Sequence, residues 1–431
     1  MFNAEKEIKK WAPVLEHTDE APITDSYKKA VTAKLLENTE VALREQAVAS
    51  NFGSLQEADG NMNTSAVANF DPVLISLVRR AMPNLIAYDV AGVQPMSGPT
   101  GLAFAMKARF GDGTPIINTD VEAFGPKTDS LSGEPDTDFS GTGTHAGGLF
   151  DSPQGADGAG VEFGTGLVTN PAETANISGE MGFTIDRSIV TAKTRQLKAE
   201  YTMELAQDLK AVHGLDAESE LANILSGEIL AEINREVIRS MVVTGKVGGV
   251  GATEAFDLVA DADGRWAVEK FQSLIFQIEQ EANQIALDTR RGKGNFVIAS
   301  SNVASALAAS GKLVFGGSEG LNVDATGNTF AGTLNGRLKV YVDPYASTDY
   351  CTVGYKGSSA YDAGMFYCPY VPLTMVRAVG ENSFQPKIAF KTRYGLIANP
   401  IIGAVDGIGA AKSNPYYRTF RVKNINVGGQ S

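Results

Sequence analysis

The sequence predicts an α+β protein, and three observations carry that reading. Residues Asp216 to Val243 present a single apolar stripe, the pattern of a 28-residue helix about 42 Å long. Beyond Leu338, apolar segments of strand length follow one another in quick succession. No internal repeat of about 20 to 50 residues runs along the chain, which sets solenoids and propellers aside. At 431 residues the chain exceeds one ordinary core, so two or more packed units are expected.

Residues 1–57 read as two helical pieces with a break around Pro13 to Pro22. Asp25 and Ser26 open the second piece, where Tyr27, Val31 and Leu35 share one face at i, i+4 spacing. Asp71 and Pro72 suit the start of another helix, with Val73, Leu74, Leu77 and Val78 as its stripe and Pro83 as its end. Leu102 to Arg109 reads as a strand leading outward. The excursion after it, roughly 110–182, is rich in Gly, Thr, Ser and Asp, with 11 Gly between Phe139 and Gly182. It has too few apolar residues for its own core, so a projecting loop is expected, ordered by neighbouring subunits or partly disordered. Phe183, Ile185, Ile189 and Thr191 suggest the returning strand, with helix as the alternative from Thr191 onward.

A short helix is predicted over Thr202 to Val212, stopped by His213 and Gly214 with Gly214 at the C′ position. Asp216 then caps the long helix. Glu218 and Glu220 sit at its positive end, and Leu221, Ile224, Leu225, Ile229, Ile233, Val237 and Met241 form its stripe. Arg265 and Trp266 start a further helix carrying Phe271, Leu274, Ile275, Ile278, Ala282 and Ile285. Asn295 to Ser300 reads as a buried strand, and Ser301 as the cap of the next helix. Strands are then expected at Leu338 to Val342, Tyr350 to Tyr355, Gly364 to Tyr367, Phe384 to Tyr394 and Tyr416 to Val422.

Hydrophobic residues make up 43% and charged residues 20%, a soluble globular balance. No apolar run reaches the ~18 residues needed to span a bilayer, and the first residues lack a signal-peptide core, so cytoplasmic synthesis is expected. The formal charge of −13 argues against a surface built to grip nucleic acid, which requires clustered Lys and Arg. A container for DNA can still be acidic, because its wall should not adhere to the polymer inside. Cys351 and Cys368 lie 17 residues apart with no nearby Cys/His set, so buried free thiols are expected rather than a disulfide or zinc site.

No enzyme assembles from the motifs. Gly316-Gly317-Ser318-Glu319-Gly320 fits a nucleophile elbow, but no helix pattern follows, and the histidines, His17, His145 and His213, all precede it. Gly141 to Ala146 resembles a dinucleotide fingerprint without the strand before it or the helix after it. Gly245-Lys246 and Gly311-Lys312 lack the remainder of a phosphate loop. Acid pairs such as Asp261/Asp263 and Asp136/Asp138 sit in Gly-rich loops, where solvated turn residues are the rule. No catalytic, cofactor or metal residue is assigned.

Several blocks, in order, resemble the major capsid protein of T-even-type tailed phages. They are Val78 to Asp89, Gly92 to Met96, Ser188 to Asp216, Glu232 to Val237, Gly294 to Ser300, Val340 to Asp343, Thr352 to Gly357, Pro369 to Leu373 and Phe390 to Gly395. Leu55-Gln56-Glu57-Ala58 also fits the family's prohead-protease pattern, Leu-x-Glu followed by a small residue. The resemblance covers nearly the whole chain outside about 110–180. Its shorter loop content is similar to relatives from cyanobacterial myoviruses.

The resemblance implies a Hong Kong 97 phage-type capsid fold and a structural protein without a reaction of its own. It divides the chain into a cleaved, scaffold-interacting propeptide (1–57), an N-terminal arm (58–95) and an extended loop with a reduced insertion (96–182). A peripheral domain with the spine helix (183–250), an axial domain (251–375) and peripheral return strands (376–431) complete it. Processing at Leu55, Gln56, Glu57 and Ala58 would remove ten acidic and seven basic side chains, leaving a formal side-chain charge of −10. The implied product is a homo-hexamer tiling an icosahedral head around double-stranded DNA. Implied partners are scaffold and protease during assembly in the host cytoplasm, a vertex protein, and outer decoration proteins and a chaperonin as further candidates. No membrane insertion or sequence-specific DNA binding is expected. Two alternatives stay open here: the pentameric vertex protein of the same family, and a cytoplasmic hydrolase using Ser318.

Overall fold

A computed structural model describes residues 4–16, 23, 25–51, 85–111, 139–143, 163–174, 180–249, 254–262, 266–314, 329–359, 361–380, 385–400 and 407–425. The segments Asp71 to Pro83, Leu55 to Ala58 and Gly316 to Gly320, and most of 110–182, lie outside the described residues.

The architecture is α+β, built on two sheets that share one long helix. In the smaller sheet, β1 (Gly92–Val93) runs parallel to β12 (Met365–Val379). β12 pairs antiparallel with β13 (Pro386–Ala398), and β13 with β4 (Lys193–Glu200). The larger sheet has the order β5 (Gly245–Val247), β14 (Asn414–Lys423), β11 (Tyr350–Gly354), β7 (Phe296–Ser300), β10 (Leu338–Asp343), β9 (Thr329–Leu334) and β8 (Leu313–Val314). A short β6 (Ala255–Asp257) extends the pairing along β14.

β7 explains why the larger sheet holds together. All five of its residues are buried. Phe296 and Ile298 enter the core that contains the long helix, whereas Val297 and Ala299 enter the core under the Ala267–Thr289 and Ser301–Ala309 helices. A strand covered on both faces and paired in parallel on one side needs a continuous apolar run, as its sequence has.

The long helix spans Ala217–Thr244, with the Asp216 carboxylate accepting from the Glu218 backbone N–H at 3.4 Å. Leu225, Ile229, Ile233, Val237 and Met241 are buried as expected. Ile224 is not: it is 65% exposed, and Leu230 and Ile238 take places in the core instead. The helix packs against both β4 and β14, so its buried face is broader than one stripe. The preceding helix, Met203–His213, is capped by Thr202 and ends at Gly214, whose φ of 67° suits a residue without Cβ.

Other boundaries depart from the sequence reading. Ser300, not Ser301, caps its helix by accepting from the Val303 N–H. After Thr191 the chain continues as β4 rather than as helix. The first helix runs through Pro13 to Leu15, which is buried. β12 extends twelve residues past Tyr367, bending at register shifts around Pro369 and Pro372. β12 lies wholly in the smaller sheet, and β14 in the larger one.

β2 (Thr100–Gly111) and β3 (Glu180–Thr191) form a separate two-stranded ribbon, twelve paired residues long. The predicted outward and returning strands are therefore one antiparallel unit. Cys351 and Cys368 are buried free thiols in different cores.

Candidate interaction surfaces

The ribbon buries Ala103 and Val190 against the body and carries larger apolar side chains on its outward face. Leu102, Phe104 and Met106 on β2 and Met181, Phe183, Ile185 and Ile189 on β3 are all exposed, with Met106 at 62% and Phe183 at 64%. The register places them together, Leu102 opposite Ile189 and Met106 opposite Ile185. On the other face, the Lys107 ammonium lies 2.7 Å from the Asp186 carboxylate, and the Arg109 Nε donates to the Thr184 hydroxyl at 2.9 Å. An exposed apolar face this long marks a contact surface. At its foot, Phe104, Met106, Ile185, Arg291, Tyr361 and Asp362 line a cavity of about 700 Å³.

Ion pairs tie the long helix to both sheets. Arg195 of β4 contacts Glu232 at 2.9 Å and Glu236 at 2.5 Å, and its Nε donates to the Tyr394 hydroxyl. Arg235 reaches the fully buried Asp343 at 2.5 Å, which also accepts from the Tyr350 hydroxyl at 2.6 Å. In the second core, the buried Glu281 contacts the Arg418 Nε at 2.9 Å and accepts from the Gly249 N–H and the Gln277 amide, each at 2.8 Å. Lys356, beside the N-terminal helices, donates to the Tyr88 carbonyl. Burial pulls its pKa down to about 8, partly opposed by Asp89.

Residues 4–51 form a salt-bridged pair of helices, Ala4–Leu15 and Ser26–Asn51. Lys34 lies 2.8 Å from Glu7, Lys29 2.6 Å from Glu16, and Lys10 2.7 Å from Glu37. Trp11, Leu15, Val31, Leu35 and Leu36 are buried in the same core as Tyr88, Val93 and Tyr367. These two helices are thus packed on the rest of the chain. Sequence periodicity found Val31 and Leu35 but gave no sign of Asn38, whose amide donates to the Met96 and Tyr370 carbonyls.

Leu55, Gln56, Glu57 and Ala58 lie outside the described residues, as does Ser318. Asp261 serves a turn, accepting from the Asp257 N–H at 2.9 Å. Among the described residues no group of three or more His, Cys, Asp or Glu could hold a metal, and no helix is long and apolar enough to cross a membrane. Surfaces for association and charged ties within the subunit define a protein that works by packing.

The family model described as Major capsid protein Gp23 matches residues 67–422. The chain is 42% identical to the Major capsid protein of Salmonella phage ViI, with 97% of each chain covered. It is 37% identical to that of Enterobacteria phage T4, covering 97% of this chain and 98% of that one. The Capsid vertex protein of phage T4 is 31% identical over only 52% of this chain and 54% of its own length. Likeness to solved structures is weak: the capsid of Myoviridae Phage XM1 has a TM-score of 0.40 at 10% identity, covering 78% of this chain and 92% of that one. The chain belongs to the major capsid protein Gp23 family. It is therefore a structural protein of a tailed-phage head shell, and the full-length match favours it over the vertex alternative.

Proposed function

We propose that this chain forms hexamers with a Hong Kong 97-type fold, in which the ribbon of β2 and β3 lies across a neighbouring subunit. The observation that carries this reading is the ribbon's exposed apolar face, broken by Arg187 opposite Phe104. The peripheral part would comprise the long helix with the smaller sheet, and the axial part the larger sheet with the 267–289 and 301–309 helices. This assignment follows the sheets and moves the segment 414–423 to the axial side.

The leader, residues 1–57, would meet scaffold during assembly and be cut by the prohead protease after Glu57. Decoration proteins and a chaperonin remain candidate partners. Two measurements test the reading. Replacing Met106 and Phe183 together by Asp should leave the subunit's unfolding free energy within about 1 kcal/mol of wild type, because both side chains are exposed. It should also abolish shells in electron micrographs, and wild-type shell yield would defeat the ribbon assignment. Intact mass and N-terminal sequencing of the chain from purified heads should give a start at Ala58. A start at Met1 would keep the shell and remove the maturation step.

A further inference from the structure

The chain enters the ribbon through Gln94 to Pro99, a hinge in which Met96 is buried against Phe366 and Cys368 of β12. The Gln94 N–H donates to the Tyr367 carbonyl and the Met96 N–H to the Pro369 carbonyl, each at 2.9 Å. There the register of β12 slips twice, and Tyr370 is passed over, since Pro369 pairs with Tyr394 and Val371 with Arg393. Asn38 of the second leader helix lies against this irregular stretch. It is 9% exposed, and its Nδ2 donates to the Met96 carbonyl at 2.9 Å and the Tyr370 carbonyl at 2.8 Å.

An amide NH₂ has two hydrogens, and Asn38 spends both on joining the hinge to β12. A leucine would serve the helix better and could not make that bridge. The same helix also holds the chain just before the hinge, because the Tyr27 hydroxyl donates to the Val93 carbonyl of β1 and Lys28 lies 3.2 Å from Asp89.

We infer that the second leader helix is a clamp on the ribbon's hinge, with Asn38 bridging Met96 to Tyr370 and Tyr27 holding Val93. Loss of the leader exposes these three carbonyls and frees the ribbon to change its angle to the body. That consequence rests on the leader being removable, as proposed above; the clamp itself does not.

Hydrogen exchange on the intact, unassembled chain tests the clamp. In Asn38→Leu, peptides covering 92–101 and 366–373 should exchange about tenfold faster, while 296–300 in β7 keeps its wild-type rate. Wild-type exchange at both hinge peptides would overturn the proposal. If Asn38→Leu speeds exchange throughout, including 296–300, the decision passes to Tyr27→Phe, which removes a single hydroxyl. Faster exchange confined to 92–101 then supports the clamp, and an unchanged hinge refutes it. A head chain starting at Met1 would cancel the release step yet leave these exchange rates as they are.

Discussion

Glu281→Ala, on the Ala267–Thr289 helix that covers the larger sheet, should be among the most damaging single changes in that core. The residue is 5% exposed, and its carboxylate pairs with the Arg418 charge at 2.9 Å while accepting from the Gly249 N–H and the Gln277 amide. Removing one partner of a buried ion pair costs about 3–5 kcal/mol, because the other charge stays buried. Arg418 keeps Asp288 at 3.8 Å and the Val247 carbonyl at 3.5 Å, which places the loss at the lower end, about 3–4 kcal/mol. Against a typical total of about 5–15 kcal/mol this is a large fraction. Urea unfolding of the unassembled chain, followed by far-ultraviolet circular dichroism, measures it. The double variant Glu281→Leu with Arg418→Met should recover about 1–2 kcal/mol of that loss, since no charge is then stranded while the Gly249 N–H and the Gln277 amide stay without their acceptor. A single variant within about 1 kcal/mol of wild type, or a double variant no better than the single, would refute the reasoning.

Lys356 gives a pH signature. The unfolded chain holds this proton up to the ordinary 10.5, and the folded chain only to about 8, so wild-type stability rises as pH increases between those values. Relative to Lys356→Met, the gain should be on the order of 2–3 kcal/mol, with a flat difference below pH 8; a flat difference throughout would show that Lys356 titrates normally. Gly354→Ala places a Cβ 2.2 Å from the Cζ of the buried Phe296. It should cost about 1–3 kcal/mol, seen as a lower thermal midpoint, whereas an unchanged midpoint would mean that the Phe296 ring can yield.

The helices were legible because their signals are local. Thr202 with Gly214, and Asp216 ahead of a long stripe, place two helices to within a residue. β4 carries no such signal. Its residues Lys193 to Glu200 alternate only weakly, and β13 beside it fixes the strand. The exposure of Ile224 was equally hidden, since periodicity counts apolar residues without knowing which neighbours cover them. Of the interaction surfaces, the ribbon's strands could be read but not the direction its apolar face would point. Asn38 looked like an ordinary polar residue of a helix, because its two partners lie 58 and 332 positions away.

β7 sends alternate side chains into two different cores, and this limits how the subunit can deform. A slip of one residue would drive Phe296 and Ile298 into space shaped for Val297 and Ala299, and would open voids on the opposite side. Sliding within the larger sheet is therefore blocked, and the sheet with its two covering layers must travel as a plate. Any change in the shape of the head has to be taken up at joints outside that plate, which concentrates the geometry of the whole shell in a few short connections of each chain.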